Sequence, residues 1–399
     1  MEKFRGKIFN PEVFEKYLKT LESTKENSLI KNGLFTQVSK YKVRMAEQTG
    51  GYAVLEPIKG RIGGNPVNYD GNTDIPKGSE RDTFFQRKIC YGRAKAWGEY
   101  DFAADITSTN FKAEAGEVKE YWDEQRQMVV LAILKGIFSM TGGVDGKFVE
   151  KHTYQVAENL SADALNRASQ KALGDKKSKL EIMFTHSMVT TNLEGLNLID
   201  FLKYTDSDGI ERDLTIGTYN GKMVIVDDDM PTNDVAATYV KSTDASADSS
   251  KTYYTRTGSG TTSSPYVYFV VSNPTGNPST SNYYEKTAEG YTEYTSYLFK
   301  RGFFEYENIG VETPVETVRD AYDKGGKTDM ISRVREMIVP TYISFKGTGT
   351  VSPTNEAFAT GSNWELANND KSGAEKVYVD DKLIQELIIL TTGISLCWW

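Results

Sequence analysis

The chain is poor in the side chains on which most enzyme chemistry depends. Its 399 residues include two histidines, His152 and His186, and two cysteines, Cys90 and Cys397. A Ser/His/Asp triad, a zinc site or a thiolate nucleophile has little to draw on. The two cysteines are far apart, so no disulfide framework is implied and a reducing compartment is the simplest setting. Positive charge is not in excess: 47 Lys and Arg against 55 Asp and Glu leave −8, which argues against a protein that grips nucleic acid by neutralising phosphates. Long apolar runs are missing too. The longest, Met128 to Leu134, is about a third of a membrane span. The start, Met1-Glu2-Lys3-Phe4-Arg5-Gly6, has no secretory apolar run, so neither export nor membrane embedding is expected. Gly258-Ser-Gly260 and Gly347-Thr-Gly349 match no phosphate-binding glycine pattern. Asp227-Asp228-Asp229 lacks the spaced ligands of a calcium loop and reads as a strand end. No catalytic, metal or cofactor-binding residue is assigned, and an enzyme is not expected.

What the chain does contain is a hydrophobic share of 39%, enough for a sizeable core, and long Gly-punctuated extended segments. Asn10-Pro11 opens a short helix whose stripe is Val13, Phe14, Tyr17, Leu18 and Leu21. Residues 49–104 read as a long β-hairpin. It enters at Gly50-Gly51, has a turn-rich tip from Gly63 to Gly78, and returns along one strand from Thr83 to Phe102. A hairpin so polar at its tip does not bury itself, and it is expected to lie on another surface. Val118, Tyr121, Trp122, Gln125, Met128, Val129 and Ala132 follow helical spacing and predict a helix over 111–140, acidic in its first half and ended by Gly142-Gly143. A second helix is expected over about 162–173, with Ser161 as N-cap. Leu180–Phe184 and Met223–Val226 read as buried strands, Ser187–Leu193 as a short helix, and 311–346 as a second long hairpin turning at Lys324-Gly325-Gly326-Lys327. Residues 236–296 are rich in Ser, Thr, Gly and Tyr; their tyrosines favour a small β-rich insert over a disordered linker.

The order of these parts resembles that of the tailed-bacteriophage major capsid proteins, a fold shared with encapsulins and the herpesvirus capsid floor. The residues that carry the likeness are Gly50-Gly51 and Pro57; Tyr69-Asp70-Gly71-Asn72-Thr73; Phe85-Gln86-Arg87 leading to Arg93-Ala94-Lys95-Ala96-Trp97; and Tyr121-Trp122-Asp123-Glu124-Gln125-Arg126-Gln127. They continue in His186-Ser187, Gly221 to Pro231, Glu316-Thr-Val-Arg319-Asp320 and Asn363-Trp364. The likeness covers about 30–235 and 297–395. The insert at 236–296 departs from it.

The resemblance implies an α+β fold with an N-terminal arm (1–48), an extended loop (49–104), and a peripheral domain (105–150 and 305–350) with a spine helix over 112–140. It further implies an axial domain (151–235, 297–304 and 351–399) and the inserted β-rich domain (236–296). It implies a shell subunit that forms hexamers and pentamers in the icosahedral head of a double-stranded-DNA phage. The implied partners are further copies of the chain, a separate scaffolding protein and a portal, with a decoration protein as a further candidate and DNA enclosed non-specifically. The expected place is the virion head, assembled in the bacterial cytoplasm. An encapsulin-type compartment and a Tyr-rich surface binding protein are the alternatives.

Charge patterning adds one contact hypothesis. Arg81, Arg87, Lys88, Arg93 and Lys95 lie on the return strand, and Glu117, Glu120 and Glu124 on the first half of the spine helix. Opposite fields set register between subunits, so the basic strand is expected to meet an acidic surface on its neighbour. Glu316, Arg319 and Asp320 are candidates for an inter-subunit ion-pair network.

Overall fold

The computed structural model describes residues 2–4, 7–9, 33–47, 52–60, 65–75, 83–101, 115–156, 163–205, 211–369, 376 and 387–394, apart from 249, 262–263, 273, 275, 281 and 348–349. The expected helix after Asn10, the hinge Gly50-Gly51, Gly63-Gly64, Ser161 and Cys397-Trp398-Trp399 lie outside the described residues.

In chain order the elements begin with β1 (Glu2–Phe4), β2 (Lys7–Phe9), β3 (Phe35–Gln37), α1 (Tyr41–Glu47), β4 (Ala53–Lys59), β5 (Thr83–Ile89) and β6 (Tyr91–Tyr100). The central part holds α2 (Ala115–Phe138), α3 (Gly143–His152), β7 (Thr153–Val156), α4 (Ala164–Leu173), β8 (Ile182–Thr185) and α5 (Ser187–Gly195). It continues with β9 (Ile199–Thr205), β10 (Glu211–Tyr219), β11 (Lys222–Val226) and β12 (Thr232–Val235). The insert contributes β13 (Thr238–Lys241), β14 (Tyr253–Thr257), β15 (Val267–Val270) and β16 (Tyr284–Ala288). The chain closes with β17 (Tyr291–Phe299), β18 (Phe304–Asn308), β19 (Val315–Asp320), β20 (Lys327–Pro340), β21 (Ile343–Phe345), α6 (Asn355–Ala359), β22 (Trp364–Leu366) and β23 (Leu387–Ile394).

The longest helix, α2, changes character along its length because its surroundings change. Val118 and Trp122 form one buried stripe against Val315 and Met330, with Trp97 and Tyr121 beside them. From Val129 onward, Val130, Ile133, Leu134 and Ile137 are all in the main core, so that half is covered on nearly every side. Each such side chain contributes about 1.5–3 kcal/mol by leaving water. Gly136 lies where α6 crosses. A Cβ there would come within 1.9 Å of the Phe358 carbonyl oxygen and 2.4 Å of the Trp364 indole nitrogen. The helix stops before Gly142 and Gly143, whose φ values of 81° and 50° turn the chain into α3.

Two sheets flank this helix. In the first, β20 pairs along one edge with β19 and β18 and along the other with β6, and β3 extends the β18 side. The turn between β19 and β20 passes through Asp323–Gly325, with Asp320 opposite Lys327. The second sheet has the order β7-β23-β17-β8-β11-β10-β9, with β12 also pairing with β17. Helices α4 and α5 pack on it through Leu165, Ala168, Leu173, Val189 and Leu193. Past the end of β8, β12 takes over its side of β17, from Thr232↔Tyr294 to Val235↔Tyr291, while β23 stays paired on the other side as far as Thr292↔Ile394. Beyond the Val235↔Tyr291 pair sits a separate four-stranded sheet, β13-β16-β14-β15.

Two expectations about the first hairpin need correction. The return is not one strand. β5 pairs with β4 from Ala53↔Ile89 to Lys59↔Thr83, and then the chain leaves the hairpin, so that β6 pairs with β20 from Lys327↔Tyr100 to Glu336↔Tyr91. Nor do the hairpin strands lie only on foreign surface. Phe84, Gln86 and Lys88, which share one face of β5, are all buried in this chain. Gln86 Nε2 donates to the carbonyls of Pro340 (2.7 Å) and Ile343 (2.8 Å), and the Phe85 amide donates to the Asn368 carbonyl (2.6 Å). The described tip, 65–75, is exposed throughout.

Candidate functional site

Two kinds of feature stand out: projecting segments, and the charged groups that hold their bases in place. At the tip of the first hairpin, Asp70 organises a tight turn. Its carboxylate accepts the amides of Asn72 (2.9 Å) and Thr73 (2.8 Å) and the Thr73 hydroxyl (3.1 Å). Those bonds hold the Asp70 carboxyl below its ordinary value, the two backbone amides first. Beside this turn Tyr69 is 89% exposed, and Ile75 and Val67 are also open to solvent. An ordered turn that presents an aromatic ring loses little entropy on contact.

The base of the same hairpin is held by a buried ionic cluster. Lys88, 3% exposed, lies 2.5 Å from both Glu56 on β4 and Glu305 on β18. Lys40 reaches Glu56 at 2.6 Å, and the Tyr41 hydroxyl donates to Glu56 (3.0 Å) and to Glu305. Two cations and two carboxylates balance, so the cluster can stay charged out of water. Burial tends to raise the Glu56 carboxyl, but bonds from Lys40 and Lys88 outweigh it and hold it down at about 2. Burial, then Glu305, pushes the Tyr41 hydroxyl well above its usual value.

A second cluster ties α2 to the first sheet. Arg126 binds Glu336 through Nε (2.9 Å) and Nη2 (2.8 Å) and also pairs with Asp123. Glu336 is 1% exposed and accepts the hydroxyls of Tyr91 (3.2 Å) and Tyr306 (3.0 Å). Burial works against the Arg126 charge, yet Glu336 more than compensates and raises its pKa. Glu336, like Glu305 and Glu56, stands in a strand with few outward signs of its role. The available signal was parity: Lys88 shares the inward face of β5 with Phe84.

The basic residues singled out from the sequence have diverged in role. Lys88 is enclosed within the chain. Arg87 is half-buried and donates to the Lys346 carbonyl (3.2 Å). Arg93 donates to Asn355 Oδ1 (2.9 Å), lies over the Tyr91 ring, and is lowered in pKa by burial. Lys95 is exposed, and Arg81 lies outside the described residues. On α2, Glu117 and Glu124 are exposed and Glu120 is half-buried. The strand carrying Arg93 and Lys95 is already packed beside this helix in the same chain, Trp97 against Tyr121 with ring centroids 5.3 Å apart. On the second hairpin Glu316 pairs with Arg333 (2.8 Å) and Arg319 with Asp101 (2.6 Å). Asp320 accepts the amide of Tyr322, whose ring stands out at the turn.

Other polar groups have local explanations. Asp227 accepts the Asp229 amide at 2.8 Å and takes a bond from Gln127, closing the end of β11. His186 accepts the Met188 amide at 3.1 Å and so caps α5. His152 is buried against the Phe148 carbonyl (2.8 Å), and burial lowers it to about 4. Among the described residues no group of three or more His, Cys, Asp or Glu is placed to hold a metal ion. Nor is any single described helix long and apolar enough to cross a membrane.

No protein-family model matches the chain. A curated relative does: the major capsid protein of Bacillus phage SPP1, 24% identical over 368 residues, which span 91% of this chain and 94% of that protein. The chain is thus similar to a tailed-phage major capsid protein over nearly its whole length. Solved phage shells share its outline more loosely. The cyanophage Pam1 capsid subunit is 8% identical, over 91% of this chain and 89% of that one, with a TM-score of 0.47. The acid-stable capsid of Helicobacter pylori bacteriophage KHP30 is 12% identical, over 87% and 85%, with a TM-score of 0.45. The likeness to the SPP1 protein supports a structural role, as one copy in a multi-copy phage shell.

Proposed function

We propose that the chain tiles the icosahedral head of a double-stranded-DNA tailed phage as hexamers and pentamers, enclosing the genome without gripping it. The observation that carries this reading is near end-to-end kinship with a phage major capsid protein, at 24% identity over 94% of that protein. Two geometric features support it. The Tyr69 tip is an ordered, exposed contact on a hairpin whose base is rigidly held, and Tyr322 ends a second projecting hairpin. In this reading 49–104 is the extended loop, which reaches a neighbour through its tip and through basic side chains of its return. Residues 105–150 with 305–350 form the peripheral domain. Residues 151–235, 297–304 and 351–399 form the axial domain, which carries the insert at 236–296. The exposed Lys95, with Arg81, Arg87 and Arg93, meets the Glu117–Glu124 face of the next subunit. A scaffolding protein, a portal and a decoration protein complete the head, which assembles in the host cytoplasm. The acidic balance of −8 suits a container through which DNA slides.

The test is expression in bacteria followed by sedimentation and negative-stain electron microscopy. Shells, or rings of five and six subunits, are the expected result. A chain that stays monomeric when concentrated, with and without its phage's scaffolding protein, refutes the reading. Nuclease-resistant DNA inside native particles separates a genome-bearing head from an enzyme-loaded compartment.

A further inference from the structure

The insert ends in a strand edge that pairs with no other strand among the described residues. Its sheet has the order β13-β16-β14-β15, so β15 has one neighbour and one open side. β15 pairs with β14 in unbroken register, Tyr254↔Val270 to Thr257↔Val267, and the Val271 amide bonds to the Tyr253 carbonyl at 2.8 Å. Antiparallel alternation then fixes the direction of the other groups. Residues 267, 269 and 271 face β14, while the amides and carbonyls of Tyr268 and Val270 point outward.

Folded proteins usually protect such an edge with a charge, a proline within the strand or a bulge. β15 has none of these. From Thr257 to Tyr284 there is no Asp, Glu, Lys, Arg or His, in a chain where 26% of residues are charged. The opposite edge, β13, does carry Lys241. Phe269 is 54% exposed and Val270 60%, and Val267 is open as well. Pro265 and Pro274 flank the strand and confine any added pairing to the residues between them.

We propose that β15 pairs antiparallel with β15 of a second copy, joining two inserts into one eight-stranded sheet across a two-fold axis. The proposal rests on the shell reading, which brings identical chains together. Self-pairing fits a two-fold because the same strand serves both sides. Of the possible registers, the one centred on Phe269 uses every outward group. Tyr268 and Val270 of one copy exchange bonds with Val270 and Tyr268 of the other, and the two Phe269 rings meet at the close, non-hydrogen-bonded position. The absence of charge is what permits this. The nearest cation on the neighbouring strand is Arg256, itself stacked 4.0 Å over Tyr266. Its counterpart would lie three strand spacings away, about 14 Å, beyond the screening length at physiological salt.

The experiment uses the full chain with Phe269→Cys, assembled and mildly oxidised, then run on a non-reducing gel. Close antiparallel partners lie within disulfide reach. We expect a dimer band at least ten-fold stronger than in the parent chain or in Thr255→Cys, which lies on the adjacent strand. Adding Val270→Pro removes an outward amide that β14 does not use. It should abolish the crosslink while particles still form. Particles that form normally but give Phe269→Cys no more dimer than Thr255→Cys overturn the proposal. So does a crosslink to a different polypeptide. If the parent chain forms no assemblies at all, the shell reading fails instead, and microscopy of the same sample distinguishes the two results.

Discussion

Replacing Lys88 with methionine removes a buried ammonium and keeps most of its stem. Glu56 and Glu305 are then left on either side of the Tyr41 hydroxyl, with only Lys40 to balance them, at 2.6 Å and 3.9 Å. Breaking a buried pair by removing one partner costs about 3–5 kcal/mol. Lys40 is partly exposed but already sits on Glu56, so the lower end, about 3 kcal/mol at neutral pH, is expected. The pH dependence gives a sharper test. In the parent chain Glu56 is held at about 2 against an ordinary 4.5. A carboxyl depressed on folding adds stability above its unfolded pKa, which is lost as pH falls from about 4.5 towards 2. After discounting for the water that reaches Glu56, this amounts to about 2 kcal/mol. In the variant the unpaired carboxylates take up protons more readily, so acid relieves their repulsion. The gap between parent and variant should therefore narrow as pH falls from 7 to 4. Urea denaturation of the unassembled subunit at several pH values measures it. A gap under about 1 kcal/mol at pH 7, or one that does not change with pH, would refute the charge-balance argument.

Glu336→Gln should cost about 3–4 kcal/mol in the same assay, because Arg126 stays buried without its bidentate partner. Gly136→Ala should destabilise by about 1–3 kcal/mol, since a Cβ 1.9 Å from the Phe358 carbonyl forces α6 away; a neutral result would show that α6 yields freely. Tyr69→Ala should change subunit stability by less than about 0.5 kcal/mol yet raise the concentration needed for assembly about ten-fold, read by light scattering. His152, lowered from 6.5 to about 4 on burial, resists protonation in the folded state, so stability should decline as pH falls from about 6.5 to 4. His152→Leu should flatten that part of the stability profile, measured by thermal melts across the window.

Some elements were legible because their causes lie within a few residues. The apolar spacing from Val118 to Ala132 is a helix in the structure, and the positive φ values at Gly142 and Gly143 explain its end. The turn through Asp323–Gly325 lies at the glycine pair in the sequence. The run Thr83 to Phe102 was misleading because it is uniformly strand-forming. Nothing local marks Cys90 as the place where one partner strand gives way to another more than two hundred residues on. The charged residues were harder still. Lys88 and Lys95 read alike, but one is enclosed by two carboxylates and the other faces water.

The sequence alone determined the inventory: a chain with two histidines and two cysteines, long extended segments, one helix whose apolar face widens along its length, and an order of parts that resembles phage shell proteins. Those properties are local or compositional, so they survive without coordinates. Only the tertiary structure decided which strands pair, which charges neutralise one another inside the chain, and which edge of the insert is left open. Such outcomes depend on residues far apart in sequence meeting in space, and on burial, which turns identical side chains into different physical objects.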